Sequence, residues 1–222
     1  FDRSNIRRLV LPPTLKVIDD GAFAECQLRC VELPEGLESI GTKCFVESRI
    51  EKLCVPSTVK RIGDEAFSNC SELSEVVFRG ESQLATLGKE CFKNTRLKEF
   101  VAPASLRSIG PKAFNRCRSL ERVELNEGLE EIGELCFDCA KIGQIAIPGS
   151  VRRIQTYAFN WCKALHRVVF EADSRLEELG DNAFAGRADL IVYVKPGMRF
   201  DLDSRVQKIA VLRLPRDDAA AG

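Results

Sequence analysis

The sequence predicts a β-rich solenoid of about eight stacked coils wound round one continuous interior. Three observations predict it. A Phe preceded by a small residue recurs at Phe23, Phe45, Phe67, Phe92, Phe114, Phe137, Phe159 and Phe184, at spacings of 22, 22, 25, 22, 23, 22 and 25 residues. Upstream of each ring lies an aliphatic triplet, such as Leu28, Val31 and Leu33, and five triplets run into Pro12, Pro34, Pro56, Pro103 and Pro148. Between triplet and ring, an aliphatic residue is usually followed by Gly, as at Ile40-Gly41, Ile62-Gly63, Leu87-Gly88 and Ile109-Gly110. One such unit cannot bury its own apolar groups, whereas stacked units share a core.

Each element of the coil follows from its spacing. The second and third aliphatic residues of the triplet alternate with polar ones, which is the period of a strand with one buried face. Proline just past the strand removes a donor and turns the chain out of the sheet. A second, shorter extended piece reads aliphatic, polar, polar, aliphatic, as in Leu129-Glu130-Glu131-Ile132. The glycine after it is expected to mark a corner with unusual backbone angles. The stretch round each Phe, for example 64–70, suits one helical or 3₁₀ turn that lays the ring inward. Strands stacked at roughly 4.8 Å would make a parallel sheet on the order of 40 Å long.

Two patterns test the stacking. One homologous position reads Lys16, Glu38, Lys60, Ala85, Arg107, Glu130, Arg152, Glu177, so charge alternates between coils except at Ala85. Vertical neighbours of opposite sign account for that. The second pattern exchanges volume across the ring. Coils with Ala22, Ala66, Ala113 and Ala158 before Phe carry Cys26, Cys70, Cys117 and Cys162 three residues after it. The intervening coils carry Cys44, Cys91 and Cys136 before the ring and Ser48, Thr95 and Ala140 after it, and the last has Ala183 and Arg187. Equivalent thiols then lie two coils apart, on the order of 10 Å, too far for a disulfide. Most of the ten cysteines therefore read as reduced core residues, which favours an intracellular setting over the cell surface.

These residues, and above all the Ala-Phe-x-x-Cys runs at 66–70 and 113–117, resemble the BspA-type leucine-rich repeat. The resemblance spans about Ile6 to Pro196 and implies a curved, right-handed leucine-rich-repeat superhelix. It also implies an adhesion or protein-interaction module, with no catalytic residues or cofactor carried by the repeat. The coils with Cys before the ring, and two longer coils near Phe78–Gly88 and Phe170–Gly180, depart from the pattern. Residues 1–196 are thus expected to form the solenoid, 197–214 a C-terminal cap, and 215–222 a tail. The chain starts at Phe1 in mid-pattern, as a truncated segment would.

Composition narrows the function. The 222 residues are 45% hydrophobic and 30% charged, and 33 basic residues balance 33 acidic ones. No basic excess recommends nucleic acid, no polybasic run an anionic membrane, and no apolar run is long enough to span one. The single histidine, His166, falls at an outward strand position, and no nucleophile–histidine pair or phosphate loop is recognisable. Cys136-Phe137-Asp138-Cys139 is a lone CxxC that would need Cys117 or Cys162 to complete a zinc site, and neither metal nor cofactor is predicted. Asn69-Cys70-Ser71 fits the glycosylation sequon but adjoins the core thiols. No enzyme is predicted.

The candidate site is the outward face of the sheet. One outward column reads Val10, Glu32, Cys54, Val77, Val101, Glu124, Ala146, Val169, and a mixed ridge beside it includes Lys52, Glu75, Glu99, Arg122 and Arg167. An apolar stripe flanked by charge suits a protein partner, with Trp161 as a further anchor. The predicted role is a protein-interaction module, and it suits a scaffold subunit of a larger assembly. The alternative is an adhesin fragment at the cell surface that binds a host or matrix ligand.

Overall fold

The computed structural model describes residues 1, 3–171, 173–186, 190–194 and 208–211, the last by backbone alone. Each of the first eight coils supplies one longer and one two-residue strand, and two longer strands follow them. The longer strands are β1 (Arg8–Val10), β3 (Cys30–Glu32), β5 (Lys52–Val55), β7 (Glu75–Phe78), β9 (Glu99–Val101), β11 (Arg122–Glu124), β13 (Gln144–Ile147), β15 (Arg167–Phe170), β17 (Ile191–Val194) and β18 (Lys208–Val211). The short ones are β2 (Val17–Ile18), β4 (Ser39–Ile40), β6 (Arg61–Ile62), β8 (Thr86–Leu87), β10 (Ser108–Ile109), β12 (Glu131–Ile132), β14 (Arg153–Ile154) and β16 (Glu178–Leu179). All pairing is parallel and in register, as Ile40↔Ile62 and Leu53↔Val76 show. The short strands make one unbroken eight-stranded ladder. The longer strands make four separate ladders: β1-β3, β5-β7, β9-β11 and β13-β15-β17-β18.

The third side of the coil corrects the expected helical turn. Among the described residues there is no helix; each Phe sits in consecutive hydrogen-bonded turns. The residues two before and two after the ring have positive φ, as at Lys43 (55°) and Glu47 (59°), or Tyr157 (59°) and Trp161 (52°). The ring residue and the left-handed residue on either side of it all aim their N–H groups at the next coil. Thus Lys43, Phe45 and Glu47 donate to the carbonyls of Asp64, Ala66 and Ser68, at 2.8, 2.9 and 2.9 Å. A left-handed non-glycine residue costs on the order of 1 kcal/mol or more. Each inter-coil bond returns about as much, and leaving its N–H buried and unpaired would cost more.

The glycine corner is corrected as well. Gly41, Gly63, Gly88, Gly110 and Gly133 are not among the positive-φ residues. They are glycine because the coils touch there: a Cβ on Gly110 would lie 2.7 Å from the Leu87 carbonyl oxygen, and one on Gly88 would lie 2.5 Å from Gly63 C.

The rings form a column, buried from Phe23 to Phe184 and ended by the exposed Phe1. Phe1, Phe23, Phe45, Phe67, Phe92, Phe114, Phe137, Phe159 and Phe184 stack with centroids 5.2–5.6 Å apart and planes within 17°. Offset stacking at this distance is favourable beyond the area it buries. The aliphatic triplets and the rings belong to one continuous core.

The thiol exchange proves to be a hydrogen-bond ladder. The thiols of Cys26, Cys70, Cys117 and Cys162 donate to the carbonyls of Phe1, Phe45, Phe92 and Phe137 in the preceding coil, at 3.0–3.1 Å. The hydroxyls of Ser4, Ser48 and Thr95 lie 3.2 Å from the first three of those sulfurs. The alternation therefore has a two-coil period, in which a small hydroxyl or methyl group faces a thiol. All ten cysteines are free and seven are buried. Burial pushes Cys70 up to about 12 and Cys117 up to about 11, and it raises Cys44, Cys91, Cys136 and Cys162 too.

The charge column is realised in part. Lys16 and Lys60 both reach Glu38, at 3.7 and 2.9 Å, and Arg152 reaches Glu177 at 2.9 Å. Arg107 turns instead to the carbonyls of Ala104 and Leu106. Arg187, most of the expected cap and the tail lie outside the described residues.

Candidate protein-interaction surface

The outward column stands on strands whose alternate residues fill the core. In β5, Leu53 and Val55 are buried while Lys52 and Cys54 are exposed. Val10, Val77 and Val101 are 63, 43 and 47% exposed. Cys54 and Ala146 are also exposed, whereas Val169 is half-buried. Register pairs Cys54 with Val77, and Ala146 with Val169.

Interruptions in the longer-strand sheet turn this face into grooves. Between β7 and β9 lies one of about 670 Å³, lined by Val77, Phe78, Gly80, Ser82, Val101 and Pro103. Its wall is the insertion of the first long coil, where Arg79 and Gln83 bond back to Val55 and Ser57 and the residues between them stand out. Between β3 and β5 lies another, of about 540 Å³, lined by Val10, Cys30, Glu32, Pro34, Cys54 and Arg79.

The ridge charges pair with one another. Lys52 holds Glu75 at 2.7 Å, Arg122 holds Glu99 at 3.4 Å and also meets Glu124, and Arg8 holds Glu32 at 2.6 Å. The Arg167 guanidinium lies 4.8 Å from the Tyr193 ring centroid. Such exposed pairs add only ~0–1 kcal/mol to stability. Their effect is to neutralise the ridge and leave the apolar column as its distinguishing feature.

Trp161 does not join this face. It sits on the Phe turn, 54% exposed, with the Lys163 Nζ 5.3 Å from its ring centroid. With Arg118, Cys139, Lys141 and Lys163 it lines a hollow of about 410 Å³. His166 is exposed, its Nδ1 3.2 Å from the Ala164 carbonyl. Cys136 is buried, and the Cys139 thiol faces Asp138 instead. Among the described residues, the one cluster of metal-ligating groups was not anticipated: Glu127, Glu171 and Asp173 bring carboxylate oxygens within 4.8 Å of one another. Sharing a hydrogen bond with Glu127 raises Glu171 to about 7, while the same bond lowers Glu127. Two coils separate the partners in each case: Glu35 meets Arg79 at 3.6 Å, and at the homologous place Glu127 meets a second acid.

The profile of the BspA type leucine rich repeat region matches residues 1–104 and 85–196, in six copies. The chain belongs to this family. Leucine-rich repeats of this kind are in general protein-interaction scaffolds and typically non-enzymatic. No curated protein sequence matches the chain. Its fold is similar to that of a leucine-rich repeat protein from Bacteroides ovatus ATCC 8483, with TM-score 0.57, 20% identity, and 92% of this chain and 74% of that one covered. It is also similar to a T. pallidum leucine-rich repeat protein, with TM-score 0.59, 24% identity, and coverage of 85 and 78%. At these identities the likeness concerns the fold. Among the described residues, no helix is long and apolar enough to cross a membrane.

Proposed function

We propose that the chain is a non-catalytic interaction module that holds a partner protein along the outward face of its longer-strand sheet. The observation that carries this reading is the placement of Val77 and Val101. Two valines, each more than two-fifths exposed, face the same groove beside a ridge on which Lys52 pairs with Glu75 and Arg122 with Glu99. A solvated sheet face favours polar residues, and apolar side chains in a concavity are what interface anchors fill. Cys54, Ala146 and Val169 extend the contact along the axis; Glu99, Arg122 and Arg167 form its rim.

A photo-crosslinker in place of Ser82, which lines the same groove, would capture the partner. Val77→Asp with Val101→Asp is expected to abolish capture while the melting temperature stays within a few degrees. Capture that persists in the double variant would remove the sheet face from consideration.

A further inference from the structure

The net charge of zero conceals a local segregation. The residue four positions after the ring is Arg96, Arg118, Lys141 and Lys163 on four successive coils. Those coils are tied in register, since Phe92, Phe114 and Phe137 donate in turn to the carbonyls of Ala113, Cys136 and Ala158. The four side chains therefore rise as one column, with rungs about 4.8 Å apart. Elsewhere the solenoid alternates sign in such a column, as Lys16, Glu38 and Lys60 do. Here it does not. Lys98 adds a fifth cation to the same corner, where Lys141 is held by Glu121 at 2.7 Å and the Lys163 ammonium lies over Trp161. Arg96 and Arg118 are exposed and have no ion pair among the described residues. Like charges stacked one above another repel, so Arg96 and Arg118 oppose each other unless something anionic lies across them.

A second feature shares the corner. Two residues after the ring, other coils carry Glu25, Glu47, Asn69, Asn94, Arg116 and Cys139, but this coil carries Trp161. The left-handed backbone there is imposed by the turn ladder and says nothing about the side chain. A half-exposed indole does, because it stands at the mouth of a hollow that also contains Arg118, Lys141, Ala140 and Ala164. Tryptophan and arginine are the residues most often found at binding hot spots.

We propose that this corner is a docking site for an acidic protein segment bearing an aromatic or aliphatic anchor. Its carboxylates bridge rungs of the basic column, and its anchor seats against Trp161. A protein segment fits better than a longer polyanion for two reasons. The basic strip covers four coils of a chain without net charge, so it lacks the extended field that draws nucleic acid. The hollow also offers alanine and indole surface beside its cations. The site lies on a different side of the coil from the sheet face, and it stands or falls independently of that reading.

Trp161 is the single tryptophan of the chain, so intrinsic fluorescence reports this site alone. The full chain would be titrated with a synthetic peptide of Glu and Gly around one Phe, and with its Lys counterpart. The Glu peptide is expected to change the emission saturably and the Lys peptide to leave it unaltered. Arg118→Glu with Lys141→Glu should weaken binding about tenfold or more, while Val77→Asp with Val101→Asp should leave it intact. Should that reversed variant misfold, Arg96→Gln and Arg118→Gln singly serve in its place, each weakening binding severalfold. No response to the Glu peptide at low salt would overturn the proposal. So would equal binding by the charge variants, or tighter binding of oligothymidylate or phosphatidylserine vesicles than of the peptide.

Discussion

At the scale of the residue, burial sets chemical behaviour. A thiol held above its ordinary range by a dry surrounding is a poor nucleophile. Iodoacetamide applied to the native protein should therefore alkylate Cys30 and Cys54, which are exposed. Cys44, Cys70, Cys91, Cys117, Cys136 and Cys162 should react only after unfolding, and so should Cys26, which is hidden from the reagent by burial, as peptide mass mapping would show. The rings obey the same logic. Phe114 is fully buried between Phe92 and Phe137, so Phe114→Ala should cost about 3–5 kcal/mol in urea unfolding. Glu171 runs the other way. Its carboxyl is raised to about 7 from a model-compound value of 4.5, so the folded state holds a proton that the unfolded state has lost. Stability should therefore fall as pH rises through that interval. Glu171→Gln, which mimics the protonated form, should be near neutral at pH 5 and stabilising above pH 7, by well under about 1 kcal/mol because the site is wet. Thermal melts across pH would read this.

At the scale of the element, the coil shows which features the chain announces and which it hides. Strands were legible because alternation of buried and exposed residues is written into Leu53, Val55 and their neighbours. The turn geometry was not. Left-handed positions usually advertise themselves with Gly or Asn; here Gly21, Asn69, Asn94, Asn182 and Gly186 do so, but Glu25, Lys43, Leu135, Tyr157 and others do not. The next coil's carbonyls, not the local residue, dictate the angle. The glycines misled for the complementary reason, since they mark contact between coils rather than a bend within one. This gives a paired test. Gly110→Ala would push a methyl group into the backbone of Leu87 and Gly88 and should cost about 1–3 kcal/mol. At Gly143 the nearest atom to an added Cβ is the edge of His166, at 3.6 Å. Gly143→Ala should be tolerated, or gain up to ~1 kcal/mol by stiffening the unfolded chain. Chemical denaturation of the two variants side by side checks it.

At the scale of the whole molecule, the solenoid and its outward valines could be read from the repeat, because in-register stacking turns sequence columns into surface columns. The grooves could not. They depend on where the longer-strand ladders stop, and three residues inserted into one coil carry no sign of the wall they build. Trp161 could be read as a candidate anchor, but its exposure and its side of the coil depend on the turn ladder, which periodicity does not reveal.

The alternation of thiol and hydroxyl between neighbouring coils gives the molecule a parity. Excising residues 79–102 would remove the coil of Phe92 and bring Cys117 directly above Cys70, each without the Thr95 hydroxyl between them, and with two alanines facing where one thiol had filled the space. Excising residues 79–125 would remove two coils and restore the even–odd order. The shorter deletion, though it discards less of the core, should leave the less stable protein, so that solenoids of this kind gain or lose length most readily by twos.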